Sequence, residues 1–478
     1  MVSGNVHVPF AMITDLVCPG PLKATIGSLP DEVLLEIFTF YVKGAYYAQE
    51  RWIALVHVCR GWRSIVFASP LRLNLQLCVQ GEKHVREILD TWPALPIVIS
   101  PFSPRWRPKL TENVIAALKH RDRVCRIKLH QFRVPGWKLK RLLEMMQYPF
   151  PALTGLALCE CFEEEVVIPD SFLGGSAPLL QSLYLTHVAF PALPKLLLSA
   201  NGLNRLVLRG ISHAGYIPPE VMIDSLSSMT QLQHFTLGFD SPRSRPSRAS
   251  RRPPPMIRTA LPALTRFCFR GVSEYVEDFV ARIHAPLLHD IQVSFLNQLI
   301  FDFHQLSHII NRVEWFHKLN TEVLFADYGA SVEVSSETDD RLLLGISCKP
   351  ADWQLPSVAQ FCGMSIHPIS TSENLTVMGN MSHPPDFWRF DIEHSQWVEL
   401  LYPFTNVKNL YLDEDVGVYV ATALQALAGE SVTQVLPALQ SLFIKGPQPS
   451  GPTWEAAESF VAARQHFGRP ITIRSSGW

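Results

Sequence analysis

Nothing in these 478 residues advertises catalysis. No two cysteines stand at C-x-x-C spacing, and there is no G-x-G-x-x-G, phosphate-binding P-loop, G-x-S-x-G or H-E-x-x-H. A general acid–base pair, an activated nucleophile or a zinc site therefore has no visible constellation. The 17 histidines are dispersed, and Glu163-Glu164-Glu165 are neighbours in sequence, which suits a solvated loop rather than an acid/base pair. The expectation is a protein that is not an enzyme, with no catalytic residue, no metal and no cofactor.

Other absences bound the compartment. The nine cysteines (Cys18, Cys59, Cys78, Cys125, Cys159, Cys161, Cys268, Cys348 and Cys362) are odd in number, and most lie in apolar runs. That use fits a reducing compartment, cytoplasmic or nuclear. No basic stretch precedes the mildly apolar Val8 to Ile13, so no secretory signal is read. The longest charge-poor run, Ser171 to Pro194, is interrupted by Pro178 and Pro191 and carries Gln181, Ser182 and His187, which excludes a membrane span. The sequons at Asn374 and Asn380 then carry no meaning.

Charged residues are only 18% of the chain, and 42 basic nearly cancel 43 acidic ones, so the whole is not built to bind nucleic acid. The halves differ: 29 basic against 19 acidic residues through Arg258, then 13 against 24. With 47% apolar residues the chain folds, and its length points to several domains or one elongated array.

Residues 1–27 have few charges and no period, and are expected to form a flexible arm. In Leu29-Pro30-Asp31-Glu32, Pro30 suits a first helical turn and the two acids suit the positive end of the helix dipole. Leu34, Ile37, Phe38 and Tyr41 then fall on one apolar face. A second helix is expected from about Gln49 to Phe67, with Trp52, Leu55, Val56, Cys59, Trp62 and Val66 as its apolar positions and Ser69-Pro70 closing it. Two short helices cannot bury this much apolar surface against each other, so some must face a partner or the rest of the chain.

The opening Leu-Pro-x-Glu-x-x-x-x-Ile-Phe, here Leu29 to Phe38, and the later Val-Cys-x-x-Trp-Arg, here Val58 to Arg63, together resemble the F-box. The wording is similar to the expanded F-box families of mushroom-forming fungi. The resemblance, over residues 28–70, implies docking on a Skp-type adaptor and through it a cullin. It implies that Leu29, Pro30, Leu34, Ile37, Val58, Cys59 and Trp62 make or support that contact.

From residue 71 the period changes. Leu71, Leu73, Leu75 and Leu77 alternate as in a strand, and helical stretches intervene further on. A template L-x-x-L-x-L recurs from Val124/Ile127/Leu129 to Leu439/Leu442/Ile444, mostly every 23 to 32 residues. Between Leu288 and Val407 the spacing opens to 119 residues, where degenerate repeats are expected and Val358/Phe361 is one candidate. Such recurrence is the mark of a leucine-rich-repeat solenoid. The fold class expected is therefore α/β: a small all-α F-box, then an irregular α/β solenoid over 71–478. The irregularity follows from the missing Asn or Cys three residues after the last Leu, a place only Cys161 fills. Residues 240–257, rich in Pro, Ser and Arg, are expected as a disordered insertion.

Residues alternating with the buried leucines should line the concave side of the strands. Early repeats place Arg126, Lys128, Tyr184, Arg205, Arg209, Arg266 and Arg270 there; later ones place Asp290, Tyr411 and Asp413. The arginines would suit an acidic or phosphorylated protein segment. The combined reading is the substrate-recognition subunit of an SCF-type cullin–RING ubiquitin ligase. The alternative is an F-box/leucine-rich-repeat scaffold without a ligase role. No membrane or nucleic-acid partner is expected.

Overall fold

The computed structural model describes residues 26, 29–43, 51–80, 85–101, 108–129, 136–159, 166–246, 257–301, 303–313, 318–337, 340–348, 351–380, 394–446 and 450–476. The expected arm at 1–27 apart from Ile26, Cys161, Glu163 to Glu165 and most of the Pro/Ser/Arg insertion (247–256) lie outside them. The chain forms two compact units, Met1–Cys78 with Trp92–Pro96, and Val79–Thr91 with Ile97–Trp478.

The first unit is helical. Asp31–Lys43 begins where the Pro30 carbonyl accepts from the amides of Val33 and Leu34. The expected second helix is in fact two, Arg51–Val58 and Arg60–Ala68. The break is at Cys59, whose backbone is extended (φ −156°, ψ 171°) and whose thiol accepts from the Trp62 amide at 3.4 Å. A cysteine here is a helix N-cap, and hydrophobic periodicity alone cannot register a one-residue interruption. The alternation Leu71 to Leu77 is likewise not one strand. Residues 71–74 turn through Asn74 (φ 47°), burying Leu73 and Leu75, and the strand covers only Leu77–Val79.

Among the described residues, fifteen strands of one sheet lie wholly in the second unit. Parallel strands follow in chain order through Ile97–Ile99, Val124–Leu129, Gly155–Cys159, Ser182–Thr186, Arg205–Ile211, His234–Phe239, Arg266–Gly271 and Asp290–Leu296. Helices intervene, among them Pro108–Leu118, Pro219–Leu226 and Ser273–Val280. Every position of the L-x-x-L-x-L template is buried, from Val124, Ile127 and Leu129 to Leu439, Leu442 and Ile444.

The 119-residue gap is not filled by four degenerate repeats. Asn320–Ala326, Gly329–Ser335 and Arg341–Ser347 form an antiparallel meander, inserted in reverse so that Arg341–Ser347 pairs in parallel with Asp290–Leu296. Asn320–Ala326 pairs in parallel with Asn374–Asn380, and the series resumes through Asn409–Leu412, Ser441–Lys445 and Thr472–Ser476. Val358 and Phe361, read as a strand, are buried on the helix Gln354–Gly363.

Buried carboxylates tie neighbouring elements together. Glu277, on the helix Ser273–Val280, accepts from the amides of Gln305 (2.7 Å) and Leu306 (2.8 Å), the otherwise unpaired first turn of the helix His304–Arg312. Two charge-assisted bonds in a buried site make this a strong cap. Glu277→Ala is expected to lower stability by about 2–4 kcal/mol in urea unfolding, with Glu277→Gln recovering part of the loss. An unchanged midpoint for the alanine variant would show that the cap is dispensable.

Candidate functional site

Two surfaces carry the functional reading, one on each unit. On the helix Asp31–Lys43 the sequence DEVLLEIFTFYVK has two apolar stripes rather than one. Leu34, Phe38 and Val42 point inward, and Phe38 lies against Trp62 with ring centroids 4.7 Å apart. A second cluster, Trp52, Phe67 and Trp92, packs edge to face at 5.2 to 6.3 Å. These aromatic contacts anchor the helices, because each ring removes a large apolar area from water.

The other stripe is left outside. Val33, Ile37, Phe40 and Tyr41 fall at i, i+4, i+7 and i+8, and all are exposed, Phe40 at 76%. Val58 (59% exposed) and Leu71 (95%) are further open apolar side chains of this unit.

The residues expected to meet an adaptor sort accordingly. Pro30, Ile37, Val58 and Cys59 are exposed and Leu29 is half-buried. Leu34 is buried, and Trp62 is half-buried against Phe38, so these two support the helix from within. Val33, Phe40 and Leu71 were not anticipated. The signal for the first two was available, since they extend the stripe through Ile37 that the single-face reading merged with Leu34 and Phe38.

On the second unit the strand residues that alternate with the buried leucines form the sheet's open face. The parallel register aligns them in rows. One row runs Arg126, Gly155, Ser182, Arg205, His234, Arg266, Asp290. Arg205 donates to the Tyr184 hydroxyl (3.1 Å) and reaches the His234 ring (3.4 Å). Arg266 is paired through Nε with Asp290 at 2.5 Å, and Arg270 donates to Ser347 Oγ at 3.2 Å.

Burial, then Arg126, holds the Lys128 ammonium below its ordinary range, and burial followed by Arg205 and Arg266 does the same to His234. Like charges thus crowd this half of the face. Further along, Tyr411 stacks on Phe443 (4.6 Å, 9°), and Asn374 links Asn320 and Asn409 through side-chain amide bonds of 2.7 and 2.8 Å. Asparagines therefore do form a ladder, on the open face and not in the loops. Asp413 does not present itself there. It is buried beyond its strand and accepts from the amides of Gly379 and Val416.

Two hollows indent the basic half. One, of about 320 Å³, is lined by Arg126, Lys128, Gly155, Ala157, Ser182 and Tyr184. The other, of about 360 Å³, lies around Gly238, with Arg209, Arg270, His187, Thr236 and Cys268 in its wall. A β-bulge builds the second: pairing between Arg205–Ile211 and His234–Phe239 shifts between Leu208 and Ile211, with Gly210 at φ +63°. His187, itself at φ 55°, lies over Gly210 and is held by Asp240 through Nδ1 at 3.2 Å. Two left-handed residues meeting at one hollow are a local cost that secondary structure does not require. The start of the expected insertion, residues 240–246, turns here, with Ser244 buried.

Among the described residues no group of three or more His, Cys, Asp or Glu is placed to hold a metal ion, and no helix is long and apolar enough to cross a membrane.

Residues 26–73 match the F-box-like family. No curated protein matches the chain. Among solved structures, the leucine-rich-repeat-containing protein LegL7 from Legionella pneumophila is similar, at 11% identity over 81% of this chain and 97% of that one, with a TM-score of 0.25. A superposition that weak carries no argument, and the repeat description rests on the register and burial above.

The bulge makes its own prediction. A Cβ on Gly210 would stand 2.3 Å from His187 Nδ1, and the backbone there is left-handed. Gly210→Ala should cost about 1–3 kcal/mol, and adding His187→Ala should recover the steric share while leaving about 1 kcal/mol of backbone cost. Strict additivity of the two changes in urea unfolding would contradict the contact.

Proposed function

We propose that this chain is the substrate-recognition subunit of an SCF-type cullin–RING ubiquitin ligase, acting by binding rather than catalysis. The observation that carries the reading is the uncovered apolar stripe Val33, Ile37, Phe40 and Tyr41 within a segment that matches the F-box-like family. A helix that already buries Leu34, Phe38 and Val42 has no folding need for a second apolar face. Exposed stripes of this kind mark docking sites. A Skp-type adaptor is the partner the F-box resemblance implies, with Leu29, Pro30, Ile37 and Val58 in the contact and Leu34, Cys59 and Trp62 holding it in shape.

The second unit then supplies the substrate surface. Arg126, Lys128, Tyr184, Arg205, Arg209, Arg266 and Arg270 offer forked and point cations to an acidic protein segment, and Tyr411 supplies an aromatic platform further along. The resemblance to fungal F-box families and a cytoplasmic or nuclear setting belong to the same proposal.

Two experiments test it. Affinity capture of the full chain is expected to recover adaptor and cullin. Leu29→Ala/Pro30→Ala and, separately, Ile37→Asp/Phe40→Asp should abolish that recovery, with the second variant, at two exposed positions, unfolding within about 1 kcal/mol of the parent. Retention of the adaptor by a folded Ile37→Asp/Phe40→Asp variant would defeat the docking assignment, and adaptor without cullin would favour a scaffold.

The second experiment reverses charge on the open face. Arg205→Glu with Arg266→Glu should release captured substrates while the adaptor stays bound. Undiminished capture would remove the open face from recognition.

A further inference from the structure

The two hollows of the basic half share a construction. Each has a floor of small residues, Gly155 and Ala157 in one and Gly238 in the other. Each is flanked by cations, Arg126 and Lys128 beside the first, Arg209 and Arg270 on either side of the second. At Gly238 the absence of a side chain makes the space: a Cβ would meet Arg270 Cβ at 3.5 Å and Arg209 Cα at 3.7 Å, so any longer side chain would enter the hollow that the two arginines line. Polar side chains complete each wall, Ser182 and Tyr184 in the first and Thr236, Gln292 and Ser294 in the second.

The linings are predominantly basic; the one acid among them is Asp240, in the second hollow, which is hydrogen-bonded to His187 Nδ1. From Val124–Leu129 to Arg266–Gly271 no outward strand position is Asp or Glu. The first acid along the row, Asp290, is buried and already paired with Arg266. Arg205, between the hollows, is bound to Tyr184 and His234 rather than to a carboxylate. An anion in the first hollow would meet Arg126 and Lys128 with no opposing carboxylate, and one in the second would meet Arg209 and Arg270 against the single carboxylate of Asp240.

The spacing follows from the sheet. The Gly155 and Gly238 strands are three steps apart in the strand order, and Arg270 lies one step beyond. At about 4.8 Å per step this is roughly 14–19 Å across the sheet. Gly155 is level with His234 and Ala157 with Thr236, so Gly238 also lies two to four residues further along the strands, and the hollows are roughly 16–23 Å apart. An extended chain rises about 3.3 Å per residue, so the same distance is covered in about five to seven residues.

We propose that the two hollows read one extended protein segment carrying two negatively charged side chains about five to seven residues apart, one seated over Gly155 and Ala157, the other over Gly238. This rests on the reading of the open face as the substrate surface and adds a spacing rule to it. The shared ligand chemistry is an oxyanion, a carboxylate or a phosphomonoester.

The test uses the full chain and synthetic peptides of Gly, Ser and Thr bearing two glutamates, or two phosphoserines, separated by about two, five, seven or ten residues, with singly charged controls. Fluorescence anisotropy should show separations of about five and seven binding at least about tenfold tighter than the controls and than separations of about two or ten. Gly238→Val should return the doubly charged peptides to the level of the singly charged ones. Arg209→Gln/Arg270→Gln, at exposed positions, should do the same should the valine variant not fold. Arg474→Gln, at the far end of the sheet, should change nothing. The stronger of the glutamate and phosphoserine series identifies the anion.

Affinity that follows total charge whatever the spacing, or that survives both variants, would overturn the rule. If no peptide binds while Arg205→Glu/Arg266→Glu still releases substrates, the spacing rule fails and the open-face reading stands. If neither responds, both fail.

Discussion

The second unit depends on one repeated hydrogen bond. At the start of successive strands a single carbonyl accepts from two amides of the next repeat. Thr154 receives Gln181 and Ser182, Gln181 receives Asn204 and Arg205, Asn204 receives Gln233 and His234, and Gln233 receives Thr265 and Arg266. The same fork returns beyond the meander, where Glu373 receives Lys408 and Asn409, and Lys408 receives Gln440 and Ser441. Buried backbone groups must be paired, so each fork leaves its neighbour one register and no other. The leucines then stack behind the sheet, and the residues between them stack in front. The row of arginines is a consequence of that lock, because a slip of one residue would have buried them.

Departures from the lock stand out for this reason. The bulge at Gly210 and the left-handed His187 break the repetition where the open face has its second hollow, and the small floor at Gly155 deepens the first. The meander is a larger departure. It inserts two antiparallel ladders into a parallel sheet, yet Arg341 still falls opposite Asp290 and Asn374 opposite Asn320, so the rows continue through it. Its surface chemistry changes sign: Glu322 lies directly across from Glu333, and Arg341 is bonded to Glu333 at 2.7 Å. Burial and the neighbouring Glu333 raise the Glu322 carboxyl above the ordinary range. The open face is thus basic over its early strands and acidic over the meander, an order that matches the drift of charge along the chain.

Much of this was legible in the sequence because side-chain alternation is a local property. It assigned the buried leucines and the open-face arginines correctly, since both depend only on strand parity. A further signal went unused: the residue after most first template positions is polar, and Thr154, Gln181, Asn204, Gln233, Thr265 and Lys408 supply fork carbonyls. What alternation cannot express is which strand lies beside which. Asn320–Ala326, Gly329–Ser335 and Arg341–Ser347 alternate well, but their reversed order in the sheet is a tertiary choice. The Cys59 cap was hidden for a related reason, because a one-residue break leaves the hydrophobic period on both sides nearly in phase.

The first unit shows the same limit from the other direction. Its motif residues lie within a short stretch, and the family match ends at residue 73. Its core does not end there. Trp92 enters the cluster with Trp52 and Phe67, and the Trp92–Pro96 segment belongs to the first unit although Val79–Thr91 does not. A helical module of this size buries too little to hold three helices while leaving a second apolar stripe uncovered. The returning tryptophan supplies a further wall. A fragment cut at the motif's edge would therefore lose part of the aromatic cluster that packs Arg51–Val58 against Arg60–Ala68.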